Sequence, residues 1–388
     1  MVHFYEGAFP ALLLTMVAYF GIEMTTAGWM QTMLGMAFGL GALPAGYIAD
    51  RMGPKKIVMT YLIGAASASI FISMTTSVLA FALGLAALGA FISLYHPAGT
   101  TLVTMQVRQV GKGLGYHGMG GGLGVAAAPL LATLLAVASP KYGWRLSFFA
   151  FGLMGLIVAV GVGTLHVVPT RSGGDDDAKK PILPKRIASK GMGKAFLIYL
   201  FAAVMVGFCY RGLMTFLPTY FAQELSGGIF TGDAIIKGGK FATLTLLVGV
   251  LGQFIGGQLT SRYNLEKLYA FLLIITVPML FMMSVLSNYA LLFTSMVFAL
   301  FHFAGQPVGN SLVAKYTDEG GRGLGFGIYF AAAFGIGSLA AGFSGMLADR
   351  FGLGSIFFAF GGLIFLGFLA MLYLAKNYAS APDSPLDA

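Results

Sequence analysis

Along this chain, long apolar runs alternate with short polar breaks. A helix needs about 20 mainly apolar residues to cross a bilayer, and residues 4–22, 28–49, 57–74, 78–103, 114–137 and a run from the turn at 139–144 to about 168 qualify. After a polar stretch the pattern resumes at 195–221, 241–259, 268–286, 289–313, 324–347 and 355–374. The prediction is an all-α polytopic membrane protein of 12 transmembrane helices in two six-helix bundles, 1–168 and 195–376. Residues 169–194 combine Ser, Gly, three successive aspartates, three prolines and many basic residues, the composition of a surface linker. Residues 377–388 form a polar tail.

The breaks carry a repeated phrase. Residues 46–56 read GYIADRMGPKK between spans two and three, residues 345–352 read GMLADRFG after span eleven, and a worn copy, GQLTSRY, occupies 257–263. Within this turn Gly46 lets helices approach, Gly53 supplies a breaker, and Asp50 is able to accept hydrogen bonds from a helix N-terminus. Arg51 and Lys55 are placed to bridge to acidic or carbonyl groups of the adjoining bundle, while Asp349 and Arg350 close span eleven on the opposite side of the membrane. A bare topological anchor is the alternative. Longer echoes tie the two halves together. At an offset of 210 residues GKGLGY (111–116) matches GRGLGF (321–326), and His96-Pro97 matches Gln306-Pro307. At 205 residues Tyr5-Glu6-Gly7 falls on Tyr210-Arg211-Gly212. A parallel duplication explains both. Far more of span seven precedes Tyr210 than of span one precedes Tyr5, so the native chain is expected to extend upstream of Met1.

Composition narrows the class. With 57% hydrophobic and 10% charged residues and a mean hydropathy of +0.84, the chain cannot dress a soluble surface. The net charge of +9 suggests nucleic acid until its placement is read. Arg51, Lys55, Lys56, Arg108, Lys112, the basic residues of 169–194, Arg262, Lys267, Lys315, Arg322 and Lys376 all fall in alternate loops facing one side. The opposite loops hold only Lys141, Arg145, Lys237, Lys240 and Arg350. The positive-inside bias puts the first set, and both termini, in the cytoplasm. No nucleic-acid partner is expected, and membrane lipid is. Cys209 lies in an apolar run as a small hydrophobe, and histidines 3, 96, 117, 166 and 302 show no metal-ligand spacing. GKGLG lacks the order of a phosphate loop. Neither cofactor, metal nor enzymatic chemistry is expected. The first run also lacks a basic leader and a cleavage site, so it is read as a span.

Ionisable groups at membrane depth are function candidates. Arg211, deep in span seven, needs an anionic or carbonyl partner, and Glu6, its counterpart in span one, is either that partner or a proton carrier. A purely structural Glu–Arg bridge is the alternative. His96 in span four, and His302, Gln306 and Asn310 along one face of span ten, are candidates for the substrate or proton cavity, or else satisfied interhelical hydrogen bonds. Gly118, Gly120, Gly124 and Pro129 form a face for close helix crossing.

Two six-span halves, the basic linker, the GxxxDRxG turn with its second copy and the Gly143-Trp144-Arg145 turn resemble the major facilitator superfamily. Within it, YEGAFPALL (5–13), YHPAG (95–99) and GYHGMGGGLG (115–124) look like the fosmidomycin-resistance type of efflux carrier. The resemblance implies a monomer in the cell inner membrane with a central cavity, an intracellular lock at 46–56, and an antiporter-like glycine face in span five. It implies proton-coupled efflux of a small organic or drug-like, anionic solute; uptake of an organic acid or sugar uses the same architecture. The superfamily turn usually carries a basic residue where this chain has Pro54, so Lys55 and Lys56 supply the charge.

Overall fold

The computed structural model describes residues 1–107, 110–139, 141–165, 193–317 and 322–378. The expected linker at 169–194 and the tail at 377–388 fall almost wholly outside this set, as do the side chains of Gly46 and Asp50. Ten helices among the described residues are long and apolar enough to cross a membrane. The first expected span appears as α1 (Val2–Ala11) and α2 (Leu13–Phe20), and the second as α3 (Met24–Met52). Then follow α4 (Pro54–Met74), α5 (Val78–Ser93), α6 (Tyr95–Gln106), α7 (Val110–Ala138) and α8 (Trp144–Thr164). The second half holds α9 (Lys194–Glu224), α10 (Ala234–Leu259), α11 (Leu265–Met283), α12 (Asn288–Tyr316), α13 (Arg322–Phe330), α14 (Leu339–Phe351) and α15 (Gly354–Asn377). The architecture is the twelve-span, two-bundle arrangement expected.

Local chemistry sets many of the ends. Asp233 accepts from the amides of Ile235 and Ile236 at 2.8 and 3.2 Å, which starts α10 well before its apolar run. Asn264 caps α11 through the amide of Lys267 at 3.0 Å. The two copies of the charged turn end alike: Gly53 has φ +85° and Gly352 φ +81°. Only glycine adopts that backbone without strain, which explains the final Gly of each DRxG.

Three spans are broken. Span one divides at Leu12, two residues after Pro10. Span four divides at Leu94, just before His96-Pro97, as the proline suggests. Span eleven divides between α13 and α14, where Ala331–Gly335 winds as a π-turn and Ile336–Ser338 as a 3₁₀ turn. Backbones press on this segment from both sides: a Cβ at Gly39 of α3 would strike Gly335, and one at Gly207 of α9 would strike Ala333. Thr32 of α3 accepts from the amide of Gly342 at 3.1 Å and donates to the carbonyl of Ser338 at 2.9 Å, so groups freed by the break are satisfied in an apolar medium.

The halves of the chain meet along three helix pairs. α3 lies on α14, α7 on α10, and α1 on α9. The α3–α14 seam brings the two backbones close over small residues, with Trp29 of α3 laid over Gly342 and against Phe343 at 5.7 Å. Substituted glycines would collide at Gly28 with Ala341, at Gly35 with Ser338 and at Gly345 with Met24 and Thr25. This seam runs up to the end of the molecule that holds Asp349. Toward the opposite end, which holds Arg51, Tyr116 and Met119 of α7 are 73% and 60% exposed, and nothing faces Gly118 or Gly120. The molecule is therefore shut at the Asp349 end.

Candidate functional site

Where α1 and α9 cross, a cavity is lined by His3, Glu6, Gln31, Tyr210, Arg211 and Ser338, with apolar residues of α7 and α10. Arg211 sits about midway along the 31-residue α9. Its Nη1 donates to Glu6 Oε1, joining the two halves of the chain by a charged hydrogen bond. The side chains are 5% and 13% exposed, so this is a buried ion pair, whose rupture on one side leaves an uncompensated charge. The other carboxylate oxygen of Glu6 lies 3.2 Å from His3 Nδ1. Aromatic rings cover the guanidinium: Phe38 of α3 at 5.3 Å, Phe334 of the π-turn at 5.0 Å and Tyr210 at 6.0 Å. Such contacts favour a charge kept from water.

His96 of α6 belongs to the same neighbourhood. Its ring lies 5.9 Å from His3 and 5.6 Å from Phe38. Tyr95, its neighbour, stacks on His117 of α7 at 5.6 Å, so titratable rings lead from the Arg51 side of the cavity to Glu6.

The expected C-terminal face is distributed differently. His302 is buried between Phe298 at 5.0 Å and Tyr210 at 6.3 Å, and it does not line the cavity. Gln306 accepts from the amide of Gln253 on α10, and Asn310 is exposed. These three residues share a helix face but run from core to surface.

The glycine face of span five is also shifted. Gly118 and Gly120 pack against nothing, Gly124 faces His3, and the crossing with α10 is made by Gly122 on Val250 and by Pro129 and Thr133 on Gly239. In the charged turn, Lys55 donates to the carbonyls of Gly163 and Leu165 at 2.9 and 2.5 Å, capping α8 of its own half rather than reaching the other. Arg51 is exposed, as is Arg350. Asp349 does what a helix-capping acid should, across the halves: it accepts from the amides of Met24 and Thr25 at 3.1 and 2.7 Å and from Thr25 Oγ1 at 2.6 Å. Gln31, Gln253 and Thr25 were not singled out by sequence. The two glutamines, as polar groups inside apolar runs, carried the same signal that marked Arg211.

The profile of the Major Facilitator Superfamily matches residues 2–236 and 239–387. The chain belongs to the major facilitator superfamily. Its fold agrees with solved members: a bacterial homologue of the human lysosomal transporter Spinster, in an inward-facing and unoccupied conformation, superposes with a TM-score of 0.80 at 16% identity, covering 98% of this chain and 96% of that one. The Major Facilitator Superfamily transporter FucP, in the outward conformation, gives 0.63 at 17% identity, with 96% of each chain covered. Among curated superfamily proteins, the "Probable L-galactonate transporter" of Escherichia coli is 27% identical over 38% of this chain and 32% of its own length. The "Probable sulfoacetate transporter SauU" of Cupriavidus necator is 26% identical over 61% and 57%, and the multidrug resistance protein MdtG of Citrobacter koseri 26% over 66% and 62%. The chain thus spans less than two thirds of the length of these relatives.

Proposed function

We propose that this chain is a secondary carrier that moves a small organic solute, anionic or drug-like, by alternating access, with protons as the coupling ion. The observation that carries the reading is the Glu6–Arg211 pair, a buried charge placed mid-helix in a cavity between the two halves. Charges at membrane depth persist where they serve a pathway. The basic loops assign the Arg51 end, and both termini, to the cytoplasm, so the shut Asp349 end is the outer one. Closure by Asp349 alternates with closure at the Gly46–Gly53 turn, the halves rocking about the central site. The protein works as a monomer in the cell inner membrane.

Efflux follows from the fosmidomycin-type motifs and is supported by the similarity to MdtG. Uptake of an organic acid is the second reading, supported by relatives named for galactonate and sulfoacetate and by the guanidinium of Arg211 in the cavity. Deletion of the gene separates them: efflux predicts sensitivity to toxic solutes, uptake predicts loss of growth on an acid. The carrier reading itself is tested by counterflow in proteoliposomes, with and without an imposed pH gradient. Absence of counterflow for every solute that binds overturns it. Arg211→Ala is expected to fold with a lowered unfolding midpoint and to lose solute binding.

A further inference from the structure

A guanidinium offers five N–H donors, and the structure uses few of those of Arg211. Nη1 holds Glu6, whereas Nε and Nη2 are buried with no hydrogen-bond partner. Those two nitrogens share one edge of the planar fork, and their parallel N–H bonds match two oxygens carried on one atom. Phe38 and Phe334 lie against the guanidinium at 5.3 and 5.0 Å and offer it no hydrogen-bond acceptor. Gln31, lining the same cavity, has a buried carbonyl oxygen that is likewise unpaired. Unpaired buried donors and acceptors are costly, so this arrangement persists only if something else fills it.

We infer that the Nε–Nη2 edge of Arg211 seats the oxyanion of the carried solute, a carboxylate, sulfonate or phosphonate, and that this anion loads together with a proton on Glu6. The assignment rests on the carrier reading and names its substrate class. Gln31 then takes a hydroxyl or N–H elsewhere on the solute.

The coupling follows from charge. Glu6 and Arg211 together are neutral, and an added anion meets the Glu6 carboxylate on the same guanidinium. A proton arriving from the aqueous mouth and bound to a Glu6 oxygen removes that repulsion. The groups facing Glu6 are His3 on its own helix, Arg211 and Tyr210 from α9, His96 from α6 through His3, and His117 from α7 behind Tyr95. Glu6 is the one carboxylate among the described residues that line the cavity. By linkage, a proton that favours the anion is itself favoured by the anion to the same degree. The two therefore cross in the same loaded state and in the same direction, which under an inward proton gradient selects the uptake reading over efflux and is opposite to the competition expected of a cationic drug.

The test uses the purified full chain and probes that stay ionised over the working range: methanesulfonate, benzenesulfonate, gluconate and benzoate, each beside its neutral amide or alcohol. Calorimetry is expected to show at least one anion binding more than tenfold tighter than its neutral counterpart. Its affinity should rise by up to about tenfold per pH unit on acidification, with up to one proton taken up per anion. Glu6→Gln should bind the anion tightly with no pH dependence. Arg211→Lys, which keeps the charge but loses the fork, should weaken the anion at least tenfold. Wild-type affinity that is flat or falls on acidification, or equal binding of anion and neutral counterpart, overturns the inference; counterflow of neutral solutes in that case leaves the carrier reading standing. Absence of counterflow for every bound solute removes both.

Discussion

Two of the contacts between the halves of this molecule are built on opposite principles. At mid-depth, Glu6 and Arg211 meet as a buried ion pair, a junction that one proton or one anion is able to rewrite. At the Asp349 end, α3 and α14 meet backbone to backbone over Gly28, Gly35 and Gly345, finished by Asp349 on the first amides of α3. That seam has little to titrate and few side chains to rearrange. The central junction is suited to sensing what occupies the cavity, and the seam to being either shut or open.

The comparison is open to attack at both contacts. The largest effect is expected from cutting the central pair on one side. Arg211→Met leaves Glu6 buried without a counter-charge and should cost roughly 3–5 kcal/mol, read as a lowered unfolding midpoint, with Glu6→Leu in the same chain recovering most of it. If the double variant is no more stable than the single, the pair is not coupled as drawn. Next in size is a wedge in the seam. Gly28→Leu should disfavour the shut state by about 1–3 kcal/mol through overpacking against the Ala341 carbonyl. A cysteine reporter placed on α3 facing α14 should then react faster with an aqueous thiol reagent, and an unchanged rate would count against the seam.

Asp349→Ala removes a cap worth about 0.5–1 kcal/mol, a few-fold shift in the same reporter. Asp349→Asn should retain part of it, because an amide oxygen still accepts. Smallest is Lys55→Gln, which loses the bonds to Gly163 and Leu165. It should lower the unfolding midpoint slightly and leave the reporter unmoved, since both partners lie in one half; a shift in the reporter would return Lys55 to the gate.

How much of this was legible beforehand depended on the scale of the signal. The spans and their duplication were readable because hydropathy and repeats act over many residues, and the 205-residue echo pointed to Glu6 and Arg211 as counterparts. Helix ends were less so: α10 starts at Ala234 rather than 241 because a cap at Asp233 extends it through polar residues that an apolar scan rejects. The break in span eleven was not readable at all, since AAAFGIGS is consistent with a continuous span and the cause lies in Gly39 and Gly207 on other helices. For the same reason the packing glycines were misplaced by a turn. Gly122, Pro129 and Gly239 make the crossing, whereas Gly118 and Gly120 belong to a splayed stretch. Lys55 was assigned by the motif to the far bundle, and only the position of the α8 terminus reveals its nearer partners.

The closeness of the α3–α14 seam has a thermal consequence. Its glycines and alanines carry no rotamer freedom, so the side-chain entropy that usually rewards the opening of an interface comes here mainly from Trp29 and Phe343. Much of what opening gains or loses comes instead from the water or lipid that enters the gap and from the α3 amides exchanging Asp349 for solvent. The balance between the two faces of the carrier is thus tied to its surroundings, and membrane composition and the salt that screens Asp349 are the settings to which its resting state should respond.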